Sequence, residues 1–212
     1  MTTPVRGSLP IQTDYTYSPG SVRAFSHQGK IILHDETFTL DASGRCTESV
    51  VKGVYSDTHW IFTYNTKGQL WSCQNKNSCV GGTSYSYNPD GDMVLATVTN
   101  SISDATDITF AYNEPTGDPL LEDNYPLNVN VPKIPQHDTY LRIFGKPSKH
   151  LLKLVSYEPS GSAAYPSPGP VYYAYQLDTD GYVTKKVAYD LNGSSSKTTL
   201  YDYVLANITL HP

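Results

Sequence analysis

The side chains best suited to acid–base or metal chemistry are few and stand in short clusters, His34-Asp35-Glu36 and His137-Asp138. A metal-dependent hydrolase needs several His and carboxylate groups converging on one point. On a strand, His34 and Glu36 share a face and are placed to ligate together; an exposed polar strand end explains the same spacing. Asp178-Thr-Asp180-Gly181 and Asn88-Pro-Asp90-Gly-Asp92 look like the openings of calcium loops. Neither continues into the spaced ligands and distal Glu that close such a site, so both read as turns. No metal or cofactor is expected.

Nucleophilic chemistry finds little support. There is no Gly-x-Ser-x-Gly elbow, and Gly145-Lys146 lacks the upstream glycine and following hydroxyl of a phosphate-binding loop. Ser194-Ser-Ser-Lys197 matches a Ser-x-x-Lys tetrad formally, but it follows Asn192-Gly193, a turn pair, instead of opening a helix. Two acids from distant strands can still converge for glycoside cleavage, although no pair is singled out. A non-enzymatic protein is the preferred expectation, with a glycan-directed hydrolase as the alternative.

Aromatic residues are the other candidates. The chain holds 18 Tyr among 212 residues, and Trp60, Trp71 and the Tyr pairs are able to form a stacking platform for sugar rings. Their period-2 placement is also what a buried sheet face requires, and core packing is the preferred reading for most of them. Tyr165, Tyr172 and Tyr173 border a Ser/Pro/Gly-rich loop and are less explained by a core. A ligand surface is therefore sought there and around Trp71, with Trp60 as a further candidate. Cys73 and Cys79 flank Gln-Asn-Lys-Asn-Ser, a hairpin-loop spacing that permits a local disulfide or leaves two thiols beside a turn. Cys46 reads as a small core side chain.

The elements that must carry these groups are announced by a repeat. An aromatic, any residue and an apolar residue lead into a polar turn ending in Gly, after which apolar residues resume. Phe38-Thr-Leu40 to Gly44, Phe62-Thr-Tyr64 to Gly68, Tyr85-Ser-Tyr87 to Gly91 and Tyr175-Gln-Leu177 to Gly181 follow this pattern. Looser copies run from Phe110 to Gly117 and from Val187 to Gly193. Alternation puts both aromatics of a copy on one strand face, and the Asx–Gly cluster then reverses the chain. Gly44, Gly68 and Gly91 lie 24 and 23 positions apart, room for one hairpin and a return. The fold class is therefore all-β, an antiparallel up-and-down meander, open or closed into a barrel-like sheet. At most one short helix is expected, over Asp138 to Phe144. An extended segment over 1–22 precedes a single β domain over 23–212. Between Pro115 and Pro135 the pattern lapses into a long Pro/Asn/Asp-rich excursion.

Composition narrows the class of partner. The net charge is −5, and the 15 Lys and Arg are scattered, which argues against nucleic acid. No apolar run reaches the roughly 20 residues of a membrane helix. Residues 1–20 carry no basic-then-apolar leader, which leaves a cytosolic chain or one already processed; composition and the resemblance given next favour a processed or trimmed secreted form.

Tyr85-Ser-Tyr87-Asn-Pro-Asp-Gly91 resembles the YD repeats of bacterial RHS-type wall and toxin proteins. Phe144-Gly-Lys-Pro-Ser-Lys-His-Leu151, an aromatic strand, and Asp180-Gly-Tyr-Val-Thr-Lys-Lys186 together resemble an uncharacterised family of bacterial cell-envelope lipoproteins described as porin-like. That resemblance implies one antiparallel β structure in a Gram-negative envelope, periplasmic or on the outer surface, with a lipid anchor lost from this chain. It implies no activity and no catalytic residues. On the Tyr-rich hairpins and the lack of a catalytic signature, a binding or scaffolding module is the expected role, with a glycan, a peptide or another envelope protein as partner.

Overall fold

The computed structural model describes residues 10–78, 81–101, 104–113, 120–122, 141–160, 169–190 and 192–201. These residues form one antiparallel sheet of 13 strands in which every strand neighbours the next in sequence. The strands are β1 (Gln12–Ser18), β2 (Ser21–Gln28), β3 (Ile31–Leu40), β4 (Cys46–Val51), β5 (Thr58–Tyr64), β6 (Leu70–Asn75) and β7 (Gly82–Tyr87). They continue as β8 (Met93–Ser101), β9 (Asp104–Ala111), β10 (Leu154–Ser160), β11 (Val171–Leu177), β12 (Val183–Tyr189) and β13 (Ser195–Leu200). β1 pairs with β2 and β13 with β12, and the sheet is not closed into a barrel. β1 and the start of β2 lie within 1–22, so part of that segment already belongs to the sheet.

There is no helix among the described residues, and none long and apolar enough to cross a membrane. The short helix expected up to Phe144 is replaced over 141–144 by a turn, while 138–140 lie outside the described residues. Ile143 gives its carbonyl to the Cys46 N–H at 2.7 Å, a bond made away from the local chain. Tertiary partners override the capping pattern there.

The repeats ending at Gly44, Gly68, Gly91, Gly181 and Gly193 become hairpins of one design, and Gly117 lies outside the described residues. At the β5–β6 turn, Asn65 N–H bonds to the Gln69 carbonyl and Gly68 N–H to that of Asn65. The Asn65 side chain accepts from the N–H groups of Lys67 and Gln69, both at 3.0 Å. Asp41, Asp178 and Asp190 repeat the same side-chain bonds at their own turns, and Asn88 accepts from Asp92. An Asx side chain thus holds each loop closed while the glycine takes a positive φ, +80° at Gly68. Before the turns at Gly44, Gly68, Gly91 and Gly181 the strand register shifts, a bulge that aims the residue two after the glycine inward. Cys46, Leu70, Met93 and Val183 occupy that position, and all four are buried.

One face of the sheet carries the core. Phe38, Trp60, Phe62, Tyr85, Phe110 and Val155 are buried there, with Tyr64 and Tyr87 packed against them. The aromatics that sequence placed on one dry face are on it. The other face carries hydroxyls in register, Thr63, Ser72, Ser84 and Thr97 on four successive strands, and this alternation lets an antiparallel sheet face water on one side. The rim bearing the Gly44, Gly68, Gly91 and Gly181 turns is called the upper rim below. The rim bearing the β2–β3, β4–β5 and β6–β7 turns is the lower rim.

Candidate functional site

The richest constellation of polar groups lies on the upper rim, where residues 141–153 run across the hairpin ends as a strap. Its bonds follow the strand order. After Ile143 meets Cys46, the Lys146 N–H bonds to the Gly68 carbonyl at 3.0 Å and the Lys153 N–H to that of Ala111 at 2.9 Å. Gly145 makes the nearest approach: a Cβ there would stand 2.7 Å from the Gly68 oxygen and 2.9 Å from the Tyr64 ring. Only glycine fits, and its φ of +82° favours glycine as well. Phe144 turns inward, its ring centroid 5.9 Å from Phe38 and 5.3 Å from Phe62.

At the third hairpin the strap brings four buried polar side chains together, Asp92, Ser148, His150 and Tyr112. Asp92 Oδ1 accepts from the His150 main-chain N–H at 2.8 Å, and Oδ2 lies 2.7 Å from His150 Nδ1. Ser148 Oγ accepts from the Met93 N–H at 3.0 Å and lies 2.8 Å from the Tyr112 hydroxyl, which donates to the Met93 carbonyl. Burial pushes the Tyr112 hydroxyl above the ordinary tyrosine range. An acid, a histidine and a hydroxyl are the parts of a nucleophilic triad. Here Asp92 Oδ1 and the serine hydroxyl are engaged in holding main chain and Oδ2 is taken up by the His150 ring, with Asp92 only 1% exposed. The arrangement is a clamp between hairpin and strap. Sequence reasoning treated Asp92 as part of a turn and did not join it to His150; the pair is 58 residues apart, and no local signal links them.

Tyrosine hydroxyls extend the clamp along the rim. Tyr64 donates to the Cys46 carbonyl at 2.7 Å, Tyr87 to Leu70 at 2.8 Å, and Tyr112 to Met93 at 2.8 Å. Each acceptor is the inward residue two after the preceding hairpin's glycine. Tyr175 donates instead to the strap, at Leu152. All four phenols are satisfied by neighbouring main chain. Outside the clamp, Lys67, Gln69, Asp90, Lys146 and Lys149 line an open cleft of about 450 Å³. Lys149 is paired with Glu122 at 2.8 Å, which raises the lysine pKa and lowers that of the carboxyl.

The residues singled out from sequence are dispersed. Trp60 is buried beside Phe62 in the core, whereas Trp71 is 53% exposed. Tyr172 and Tyr173 are half-buried neighbours on β11 and therefore point to opposite faces. They stand five strands from Trp71, so the structure does not gather these rings on one platform. Tyr165 lies outside the described residues. Lys186 Nζ sits 4.2 Å from the centre of the Tyr173 ring and 5.8 Å from that of Tyr175. Burial, with Lys197 adding to it, lowers the Lys186 amine to about 8.

His34 and Glu36 do share a face, with Nε2 2.9 Å from Oε2 and Glu36 fully buried. No group of three metal-ligating side chains occurs among the described residues, and His137 and Asp138 lie outside them. Asp178 and Asn88 spend their side-chain oxygens on turn N–H groups, as turn chemistry requires. Cys46 and Cys73 are core side chains, and burial lifts the Cys73 thiol to about 12. Cys79 lies outside the described residues, so its pairing with Cys73 stays an expectation.

No family model matches this chain, and no curated protein matches its sequence. Solved structures do share its fold. A porin-like protein from Bacteroides uniformis is 18% identical with a TM-score of 0.64, over 89% of this chain and 77% of that one. A porin-like protein from Bacteroides vulgatus is 12% identical, also at 0.64, over 91% of this chain and 87% of that one. At these identities the likeness is one of fold.

Proposed function

We propose that this chain is a non-catalytic β protein of a bacterial cell envelope, acting as a binding or scaffolding module for a glycan or another envelope protein. The observation that carries the reading is the use made of Asp92, His150 and Ser148, which hold a strap in place and present no reactive group to solvent. Likeness in fold to porin-like Bacteroides proteins supports the envelope location, as does a tyrosine-rich sheet with one hydroxyl-bearing face. A lipid anchor and kinship with YD repeats belong to the same proposal. Trp71 is the most exposed of the aromatic candidates among the described residues and the first place for a sugar ring to stack.

The hydrolase alternative rests on one feature of register: Asp107 and Glu158 stand directly opposite on β9 and β10. Thr97 donates to Asp107 Oδ1 at 2.7 Å. Screening the folded chain on a glycan array, beside Trp71→Ala and Glu158→Gln, separates the readings. Binding without cleavage, weakened about tenfold in Trp71→Ala, supports the module. Release of reducing ends that stops in Glu158→Gln would replace it with the hydrolase.

A further inference from the structure

The upper-rim cleft carries charge that the clamp does not use. It is lined by the β5–β6 turn, the β7–β8 turn and the strap, and three of its side chains are the exposed Lys67, Lys146 and Lys149. Asp90 is the one carboxylate among the described residues that line it. On a chain of net charge −5, this is a local inversion of sign.

The lysines are not equivalent. Lys149 is paired with Glu122, and Glu122 with Asp90 behind it holds the amine charged. Lys67 and Lys146 have no carboxylate partner among the described residues. Lys146 is placed by its own backbone: its N–H is bonded to the Gly68 carbonyl, and its Cε lies 3.9 Å from the point that a Cβ on Gly68 would occupy. Arg45 Nη1 stands 3.7 Å from the same point, while Asp41 engages the Nε and Nη2 of that guanidinium. Three cationic residues thus gather at Gly68, where no side chain fills the gap between Arg45 and Lys146.

The frame beneath them is fixed. Gln69 is buried, its Oε1 accepting from Asn65 Nδ2 at 3.0 Å and its Nε2 donating to the Gly91 carbonyl at 2.9 Å, so one amide ties the two turns together. Recognition therefore falls to the lysines at the mouth. An opening of about 450 Å³ is within the range of small-ligand sites. Trp71, exposed, follows Gln69 by two residues, about 7 Å along the chain. A flat ring and two unpaired lysines this near each other suit a saccharide bearing a carboxylate or sulfate: the indole stacks on the sugar and the ammonium groups hold its charge.

We propose that the upper-rim cleft binds an acidic saccharide, with its anionic group seated by Lys67 and Lys146 beside Gly68. Such a ligand presupposes the glycan-binding role proposed above, and the two are tested apart. Calorimetry compares polygalacturonate, dextran sulfate and neutral dextran on the wild-type chain, on Lys67→Ala/Lys146→Ala, on Lys67→Arg/Lys146→Arg, on Lys149→Ala, and on Lys30→Ala, a lysine of the opposite rim. Expected are binding to a charged polymer and none to dextran, a loss of about tenfold or more in the double alanine variant, and a loss of about threefold or less in Lys149→Ala. The double arginine variant should bind within about threefold of wild type, Lys30→Ala should be unchanged, and added salt should weaken binding. The carboxylate and sulfate polymers distinguish the two sources of charge. No binding to either charged polymer, equal losses in Lys30→Ala and the double alanine variant, or equally tight binding of free sulfate would overturn the proposal. Neutral glycans bound through Trp71 and indifferent to the lysine pair would overturn it too, while leaving the binding-module reading in place.

Discussion

The two rims of this sheet are built from the same kind of reversal and treated in opposite ways. On the upper rim the hairpin ends are tied to one another by tyrosine hydroxyls and to the strap by main-chain bonds and Asp92. On the lower rim the turns are braced individually, and two of them leave apolar side chains outside. Stability in an open meander can therefore be concentrated along one margin, freeing the other to vary. A sheet whose first and last strands do not meet lacks the ring closure that steadies a barrel, and the strap supplies cross-bracing on the upper side.

The contrast is broken most directly at Asp92. Asp92→Ala should leave His150 buried without its acceptor and cost about 3–5 kcal/mol in urea denaturation; a loss under about 1 kcal/mol would mean the clamp is incidental. Tyr64→Phe, Tyr87→Phe and Tyr112→Phe each strip a buried carbonyl of its donor, and about 1–3 kcal/mol is expected from each. Costs confined to Tyr112 would assign the effect to Ser148 alone. The smallest change is expected on the lower rim, where Ile31→Ser/Ile32→Ser should stay within about 0.5 kcal/mol of wild type. A larger loss there would erase the difference between the rims.

The hairpins were legible because their causes are local. Asn65 and Gly68 act within five residues, and the alternation of Phe62 and Tyr64 states its own face. The strap was not, because its partners are remote and its opening residues, up to Phe144, carry the local pattern of a short helix instead. Trp71 illustrates a finer limit: the register shift at Tyr64 and Leu70 turns Leu70 inward and leaves the tryptophan out, which strict alternation does not foretell. The lower-rim tips were printed in the sequence as Ile31-Ile32-Leu33, but an apolar run at a strand start reads as core until burial is seen.

The spacing of the strap has a consequence for how such a chain can change size. Its successive attachments at Ile143, Lys146, His150 and Lys153 advance by three or four residues, about 10–13 Å of extended chain, roughly the width of two paired strands. The strap is thus a ruler graduated in hairpins. Removing the unit between Gly44 and Gly68 would leave one graduation facing nothing, so lineages of this fold should gain or lose strands at the margins beyond the ruler and keep the measured interval constant.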